Sequence, residues 1–194
     1  MAQLSNHLQN GMAEFPNIST ELVVWTVGHS TRSAEEFNQI LAAHEIRNLV
    51  DVRSFPGSRR HPQFNKGQLS ESLGAIGVTY HHQPELGGRR KPSPNSKNIA
   101  LKNPSFRAYA DHVDTEEFRK GIEKLLELSR EGRAAIMCAE AVWWRCHRSL
   151  ISDYLKSIGV VVNHIVDETR VENHAYTSAA RIVDGRLSYE GLLS

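Results

Sequence analysis

Arg133-Ala134-Ala135-Ile136-Met137-Cys138-Ala139-Glu140-Ala141-Val142-Trp143-Trp144-Arg145-Cys146-His147-Arg148-Ser149 decides how the rest of the chain is read. Its opening run follows Glu131-Gly132 and is apolar and short, the pattern of a buried strand. Beyond it, Leu150, Ile151, Tyr154, Leu155 and Ile158 recur at the spacing of one helix face, and Gly159 stops them. The stretch is therefore expected to cross from a strand to a helix. Open α/β sheets hold their ligands outside the carboxyl ends of strands. A helix that starts there adds unpaired N–H groups and the positive end of its dipole.

Working outward, the same alternation continues. Upstream, Leu22 to Val27 and Ile46 to Val52 read as strands, with a helix between them opened by a Ser33/Glu36 capping box and buried through Phe37, Ile40 and Leu41. A loop from Ser54 to Phe64 leads to a helix that Asn65 can cap, with Gln68 at its third position and Gly77 at its end. Val78 to His82 is a third strand. A long loop, Pro84 to Asn103, precedes helices over Ser105 to His112 and Glu116 to Arg130. Downstream, Val160 to Ile165 is a fifth strand, and Arg181 to Leu187 suits a small hairpin around Asp184-Gly185. The pattern predicts a single α/β domain over residues 21–194. Its sheet is mostly parallel with roughly five strands and helices on both faces, in Rossmann-like or flavodoxin-like layering. Residues 1–20 read as a loose polar tail.

Composition narrows the function classes. A chain of 194 residues is one domain and can bury a core without staples. A formal net charge of +1 excludes an evenly basic coat. Two cysteines and ten histidines do not make a secreted disulfide framework. No apolar run approaches the ~18 residues of a membrane span. Met1 to Thr20 lacks the basic and apolar regions of a signal peptide. The expectation is a soluble cytoplasmic protein with reduced thiols.

In a parallel sheet, the strand exits share one edge, and the chemistry gathers there. The first exit brings His29 and Ser30, and the second brings Asp51 and Arg53, then Arg59 and Arg60. The third brings Glu85, then Arg89 and Arg90, and the fourth brings Cys138, Glu140, Arg145, Cys146, His147 and Arg148. Neither Val52 to Ser70 nor Leu86 to Ala110 holds an acid, so a near-neutral chain concentrates positive charge on this edge. Arginine forks suit phosphate, which points to an anionic ligand, either a phosphorylated small molecule or a nucleic acid.

Of the thiols, Cys146 lies beside Arg145 and Arg148 near a helix start, conditions that favour the thiolate. Cys138 reads as a small core residue at the end of its strand. The leading reading is a thiol-dependent hydrolase or transferase for a phosphate-bearing, nucleotide-like or nucleic-acid-like substrate. Cys146 is its nucleophile, and His29 or His147 moves protons. Asp51 or Glu140 orients that histidine. Arg53, Arg59, Arg60, Arg89, Arg90, Arg145 and Arg148, with Ser30, Glu85 and Trp144, form the anion and substrate site. One alternative is a nucleic-acid-binding module without catalysis, its basic loops on phosphates and a tryptophan on a base. Another is a metal site built from Cys138, Cys146, His147 and further histidines; no cofactor is required, but zinc suits such donors.

Four blocks carry a resemblance. They are Thr26-Val27-Gly28-His29-Ser30-Thr31-Arg32, Asp51-Val52-Arg53-Ser54-Phe55-Pro56-Gly57-Ser58-Arg59, Pro84-Glu85-Leu86-Gly87-Gly88, and Met137-Cys138-Ala139-Glu140 through Cys146-His147-Arg148. Together they resemble the bacterial domain-of-unknown-function family 488 over about Trp25 to His164. The resemblance implies a compact α/β domain and brings no established activity.

Overall fold

A computed structural model describes residues 21–191. The tail expected over residues 1–20 lies outside the described residues.

Strand β1 (Val23–Gly28) leads into helix α1 (Ala34–Ala43), which returns the chain to β2 (Asn48–Asp51). Both halves of the Ser33/Glu36 capping box form, so two free N–H groups at the start of α1 are satisfied. Helix α2 (Lys66–Gly74) follows, then β3 (Thr79–His82). Asn65 stands at the N-cap of α2, but its Oδ1 accepts from the Ser58 N–H at 2.6 Å instead of capping the helix. That bond closes the preceding loop on itself. The chain then passes through α3 (Pro104–Val113), α4 (Glu116–Glu131), β4 (Ala134–Cys138), α5 (Arg148–Ser157) and β5 (Val161–Ile165). A short β6 (Val171–Asn173) runs antiparallel along β5. A two-stranded hairpin of β7 (Arg181–Val183) and β8 (Arg186–Ser188) ends the fold. Asp184 and Gly185 both take positive φ at its turn, as the Asp-Gly pair requires.

Among the described residues the sheet has six strands in the order β3-β2-β4-β1-β5-β6, and all but β6 are parallel. One strand more than the sequence reading is present because β6 comes from the stretch after Asp167, where no alternation marked it. Helices cover both faces. Phe37, Ile40 and Leu41 of α1 and Leu69 and Leu73 of α2 pack on Leu49, Ala135 and Met137. Tyr109, Phe118, Leu125, Leu150 and Ile151 of α3, α4 and α5 pack on Val50, Val52, Ile136 and Cys138.

The topology sets where a ligand can sit. The chain leaves β1, skips one position to β2 and β3, and comes back to lay β4 between β2 and β1. The exit of β4 is therefore flanked on both sides by exits of other strands. The pairing runs on past the strands, with the N–H of His29 on the Cys138 carbonyl and the N–H of Val52 on the Met137 carbonyl, both at 3.0 Å. Gly28 allows the closest approach here. A Cβ on it would collide with the Glu140 carbonyl and the Arg148 guanidinium, so only glycine fits.

Candidate active site

Beyond β4, a one-turn 3-10 helix over Trp143–Arg145 carries the chain back so that Cys146 lies against Cys138. The two Sγ atoms are 2.6 Å apart, and both residues are nearly buried. Each sulfur also has a backbone donor. The Glu140 N–H points at Cys138 Sγ from 3.4 Å, and the Arg148 N–H, at the first turn of α5, points at Cys146 Sγ from 3.5 Å.

Arg148 is the largest fully buried side chain among the described residues, with 1 % of its surface exposed. It donates to the Glu140 carbonyl at 2.6 Å and to Thr26 Oγ1 at 3.4 Å, and no carboxylate pairs with it among the described residues. A buried cation needs a counter-charge. The two thiols supply it and raise the Arg148 pKa against the opposing effect of burial. Burial alone pushes the Cys146 thiol up, but the Cys138 hydrogen bond and Arg148 outweigh it and bring Cys146 down to about 6. Its hydrogen bond to Cys146 and its burial push the Cys138 thiol well up. The pair thus sheds one proton with the charge resting on Cys146.

His147 completes the cluster. Its Nε2 lies 3.2 Å from the Val52 carbonyl, which can only accept, so Nε2 carries the proton. Nδ1 is then a lone pair facing Cys146 Sγ at 3.5 Å. Burial holds the ring below its usual pKa, so it is neutral at working pH. Tyr109 packs against it at 5.1 Å between ring centroids. Gly88 closes the other side: a Cβ there would meet His147 Nδ1 at 2.5 Å.

These groups open on a cavity of about 310 Å³ lined by Arg53, Ser54, Phe55, Arg89, Tyr109, Glu140, Arg145 and the three residues of the cluster. Arg89 and Arg145 are exposed at its mouth. A neighbouring cleft of about 700 Å³ shares Phe106 and Arg145 with it, and Trp144 stands on that cleft with 53 % of its surface exposed. Trp143 has the other role, stacked on His164 at 4.1 Å.

The family model described as a domain of unknown function, DUF488, matches residues 33–155. The chain belongs to the DUF488 family. The matched span contains the whole cluster of this DUF488 protein and begins just after its first signature block, so His29 and Thr26 lie upstream of it. No curated protein and no solved structure matches the chain.

Several residues expected at one pocket share only the edge. Val50 and Val52 face the α3–α5 layer with Cys138, so Asp51 faces the other way. There the Asp51 carboxylate takes both Nε and Nη of Arg53, at 2.8 and 2.6 Å, and the Tyr80 hydroxyl at 2.7 Å. Asp51 therefore braces Arg53 and orients no histidine at the thiols. His29 donates from Nδ1 to the Ser30 carbonyl and accepts from Arg53 on Nε2. Burial and then the Arg53 charge bring its pKa down to about 4, and it stacks on Phe64. It is a neutral wedge with both nitrogens engaged, off the cavity wall.

Ser30 ties the β1 exit to the β4 exit through its N–H on the Ala139 carbonyl at 2.9 Å. Glu85 offers its backbone carbonyl to His112 and Arg90 and does not line the cavity. Arg90 is spent on Glu117 and on three backbone carbonyls. Arg59 and Arg60 are exposed away from the cavity wall. Arg148 lies buried beneath the thiols and does not line the cavity. Glu140 lines the cavity, but the Val52 carbonyl, not Glu140, orients His147.

The sequence reading missed a buried chain behind Arg148. Thr26 Oγ1 meets His164 Nδ1 at 2.8 Å, His164 Nε2 meets His174 Nδ1 at 2.9 Å, and His174 Nε2 meets Asp153 Oδ1 at 2.9 Å. Asp153 carries a signal in the sequence, since an acid three residues past Leu150 falls within the apolar face of α5. His174 carries none.

The three donor atoms of Cys138, Cys146 and His147 lie within 4.8 Å of one another, the grouping that could hold a metal among the described residues. Zinc bound to both sulfurs at about 2.3 Å in a tetrahedron holds them about 3.8 Å apart. At 2.6 Å the sulfurs would have to separate to take it.

Proposed function

We propose that this DUF488 protein is an enzyme whose nucleophile is the Cys146 thiolate and whose substrate carries phosphate. The observation that supports it most is the buried Arg148 guanidinium, which has two cysteine sulfurs and no carboxylate beside it among the described residues. A site that keeps such a charge beside a cavity stores a nucleophile there. His147 Nδ1 faces Cys146 Sγ, where it can take the proton from the fraction of Cys146 still held as thiol and return it to a leaving group. Arg145 and Arg89, exposed at the mouth, suit the phosphate. The adjoining cleft, with Trp144 and Phe106, suits a base or other ring, so a nucleotide-like substrate fits both spaces. Attack by Cys146 gives a covalent adduct that water or a second acceptor discharges, the course of a hydrolase or transferase. A reduced, cytoplasmic setting goes with this reading, since oxidation would consume the nucleophile.

Alkylation of the reduced protein tests it. Cys146 should label first near neutral pH, and inorganic phosphate or a mononucleotide should slow the labelling. An inert Cys146, labelled only after denaturation, would end the reading.

A second reading rests on the three-donor cluster beside the cavity, whose sulfurs and imidazole would hold zinc once the sulfurs separate, and zinc there would supply Lewis-acid chemistry. Metal analysis of the purified protein separates the two. Stoichiometric zinc, with thiols silent until a chelator is added, would replace the free nucleophile.

A further inference from the structure

A free nucleophile needs one sulfur, and this site has two in contact. Cys138 Sγ is 2.6 Å from Cys146 Sγ and lines the same cavity. Cys138 is also equipped to carry charge in its turn, because the Glu140 N–H points at its sulfur as the Arg148 N–H points at that of Cys146. The Arg148 side chain lies next to both. Cys138 ends a strand hydrogen-bonded on both sides, by β1 and β2, so its sulfur is held in place. Cys146 sits on the connection between a 3-10 turn and α5, outside the sheet ladder.

We propose that Cys146 and Cys138 are an attacking and a resolving thiol, and that the cavity carries out thiol–disulfide exchange on a small disulfide bearing negative charge. The proposal rests on Cys146 being the nucleophile and goes beyond it in giving Cys138 a chemical role.

The steps balance. The Cys146 thiolate attacks one sulfur of R–S–S–R′, a bond forms between Cys146 and the R sulfur, and R′–S⁻ leaves. That leaving thiolate takes the Cys138 proton. The Cys138 thiolate then attacks Cys146 Sγ, the Cys138–Cys146 bond forms, and R–S⁻ leaves. The substrate gains two electrons as one thiol and one thiolate, which takes its proton from water, and the cysteine pair loses two. A small dithiol such as dithiothreitol restores the pair by the reverse exchange. Arg145 and Arg89 at the mouth favour a disulfide with carboxylates over one with amines.

The test treats the reduced full chain with oxidised glutathione, an anionic disulfide, and follows mass and free thiols. Wild type should end with Cys138 and Cys146 joined and no glutathione retained. Cys138→Ser should stop with one glutathione on Cys146, and Cys146→Ser should not react. Oxidised glutathione should react on the order of tenfold faster than the cationic disulfide cystamine at low salt. If wild type retains glutathione on Cys146 as Cys138→Ser does, Cys138 does not resolve and this proposal falls while the nucleophile stands. Equal rates for the two disulfides overturn the anionic preference. Silence of Cys146 toward both alkylating agents and disulfides removes the nucleophile along with the proposal. Should Cys138→Ser fold poorly, acid quenching of wild type at early times gives the same answer, since a resolved adduct passes through glutathionylated Cys146 before the bridge appears.

Discussion

Thr26 on β1 and His164 on β5 face each other in register, and Thr26 Oγ1 lies 2.8 Å from His164 Nδ1. Arg148 fixes the direction of this bond. Its N–H can only donate to Oγ1, so the hydroxyl donates onward to Nδ1, and His164 Nε2–H then donates to His174 Nδ1. His174 Nε2–H ends the chain on Asp153, which also accepts from the Thr177 N–H and hydroxyl and from the Tyr189 hydroxyl. Each link from the Arg148 Nη to the carboxylate is answered, and the Arg148 Nε alone of the guanidinium stays without a partner among the described residues. Asp153→Ala strands the His174 and Thr177 donors in the core and should cost about 3–5 kcal/mol. Thr26→Val leaves one nitrogen of His164 and one of Arg148 unanswered and should cost about 1–3 kcal/mol. Urea midpoints with unchanged slopes measure both.

Gly88 offers a cleaner handle on the thiol. An alanine methyl there presses on His147 Nδ1, and the ring is held behind by the Val52 carbonyl and Tyr109. Gly88→Ala should move the lone pair off Cys146 and slow its alkylation below about pH 6, where the thiol still holds its proton, with stability falling by about 1–3 kcal/mol. An unchanged alkylation rate would show that His147 plays no part at the sulfur.

The arginines divide into those that reach the cavity and those that do not. Arg145→Ala and Arg89→Ala should each weaken protection of Cys146 by phosphate or a mononucleotide, by about 1–2 kcal/mol. Arg59→Ala and Arg60→Ala should leave it unchanged, since both side chains lie away from the wall. If protection depends instead on Arg59 and Arg60 and falls steeply with salt, a polynucleotide lying across the loops is the better ligand.

Much of the fold was legible because hydrophobic period and caps are local. Ser33 with Glu36, the Phe37/Ile40/Leu41 stripe and the Asp184-Gly185 turn each act within a few residues. The DUF488 blocks fell on strand exits for the same reason. What the sequence could not tell was which face each exit residue takes. Val50, Asp51 and Val52 are all buried, so no polar alternation marks the parity that separates Asp51 and His29 from the thiols. Arg90 could not be told from Arg89, because its partner Glu117 comes from a helix beyond the long loop. The histidine chain was hidden by distance: Thr26 and His164 are neighbours only once β5 docks beside β1.

Acid should unfold the protein through its buried histidines. Burial, with Arg53 next, lowers His29 to about 4, and burial, with His174 next, lowers His164 to about 2. Both are neutral when folded, while in the unfolded chain they take protons near 6.5. The unfolded state therefore binds more protons below 6.5. Stability is full above that value and is lost as pH falls, by up to about 1.4 kcal/mol per pH unit for each histidine. His29 stops contributing to the slope below about 4. Urea midpoints should drop steadily from about pH 7 to about pH 5, and His29→Asn should flatten the drop. A midpoint constant over that range would show that these rings are solvated.

The Cys146 thiolate makes the sharpest pH prediction, because its shift runs against its burial. With a folded pKa of about 6, alkylation should be flat above about pH 7 and fall about tenfold per unit well below 6. Thiolate absorbance in the ultraviolet should titrate with the same midpoint. The linkage has a definite sign. An unfolded cysteine holds its proton up to about 8.5, so between about 6 and 8.5 the unfolded state binds the extra proton and stability rises with pH. That contribution is complete above the unfolded value and is lost as pH falls through the folded one. The Cys138 hydrogen bond and Arg148 together give the sign. Arg148→Met removes the buried charge and should return the thiol toward about 8.5, slowing alkylation near pH 6.5 on the order of fifty- to a hundredfold. Arg148→Lys keeps the charge and loses the fork to Thr26 and the Glu140 carbonyl, so it should keep most of the rate while lowering stability. Equal reactivity of Arg148→Met and wild type, with circular dichroism showing both folded, would mean that the thiol is not held as an anion by this arginine.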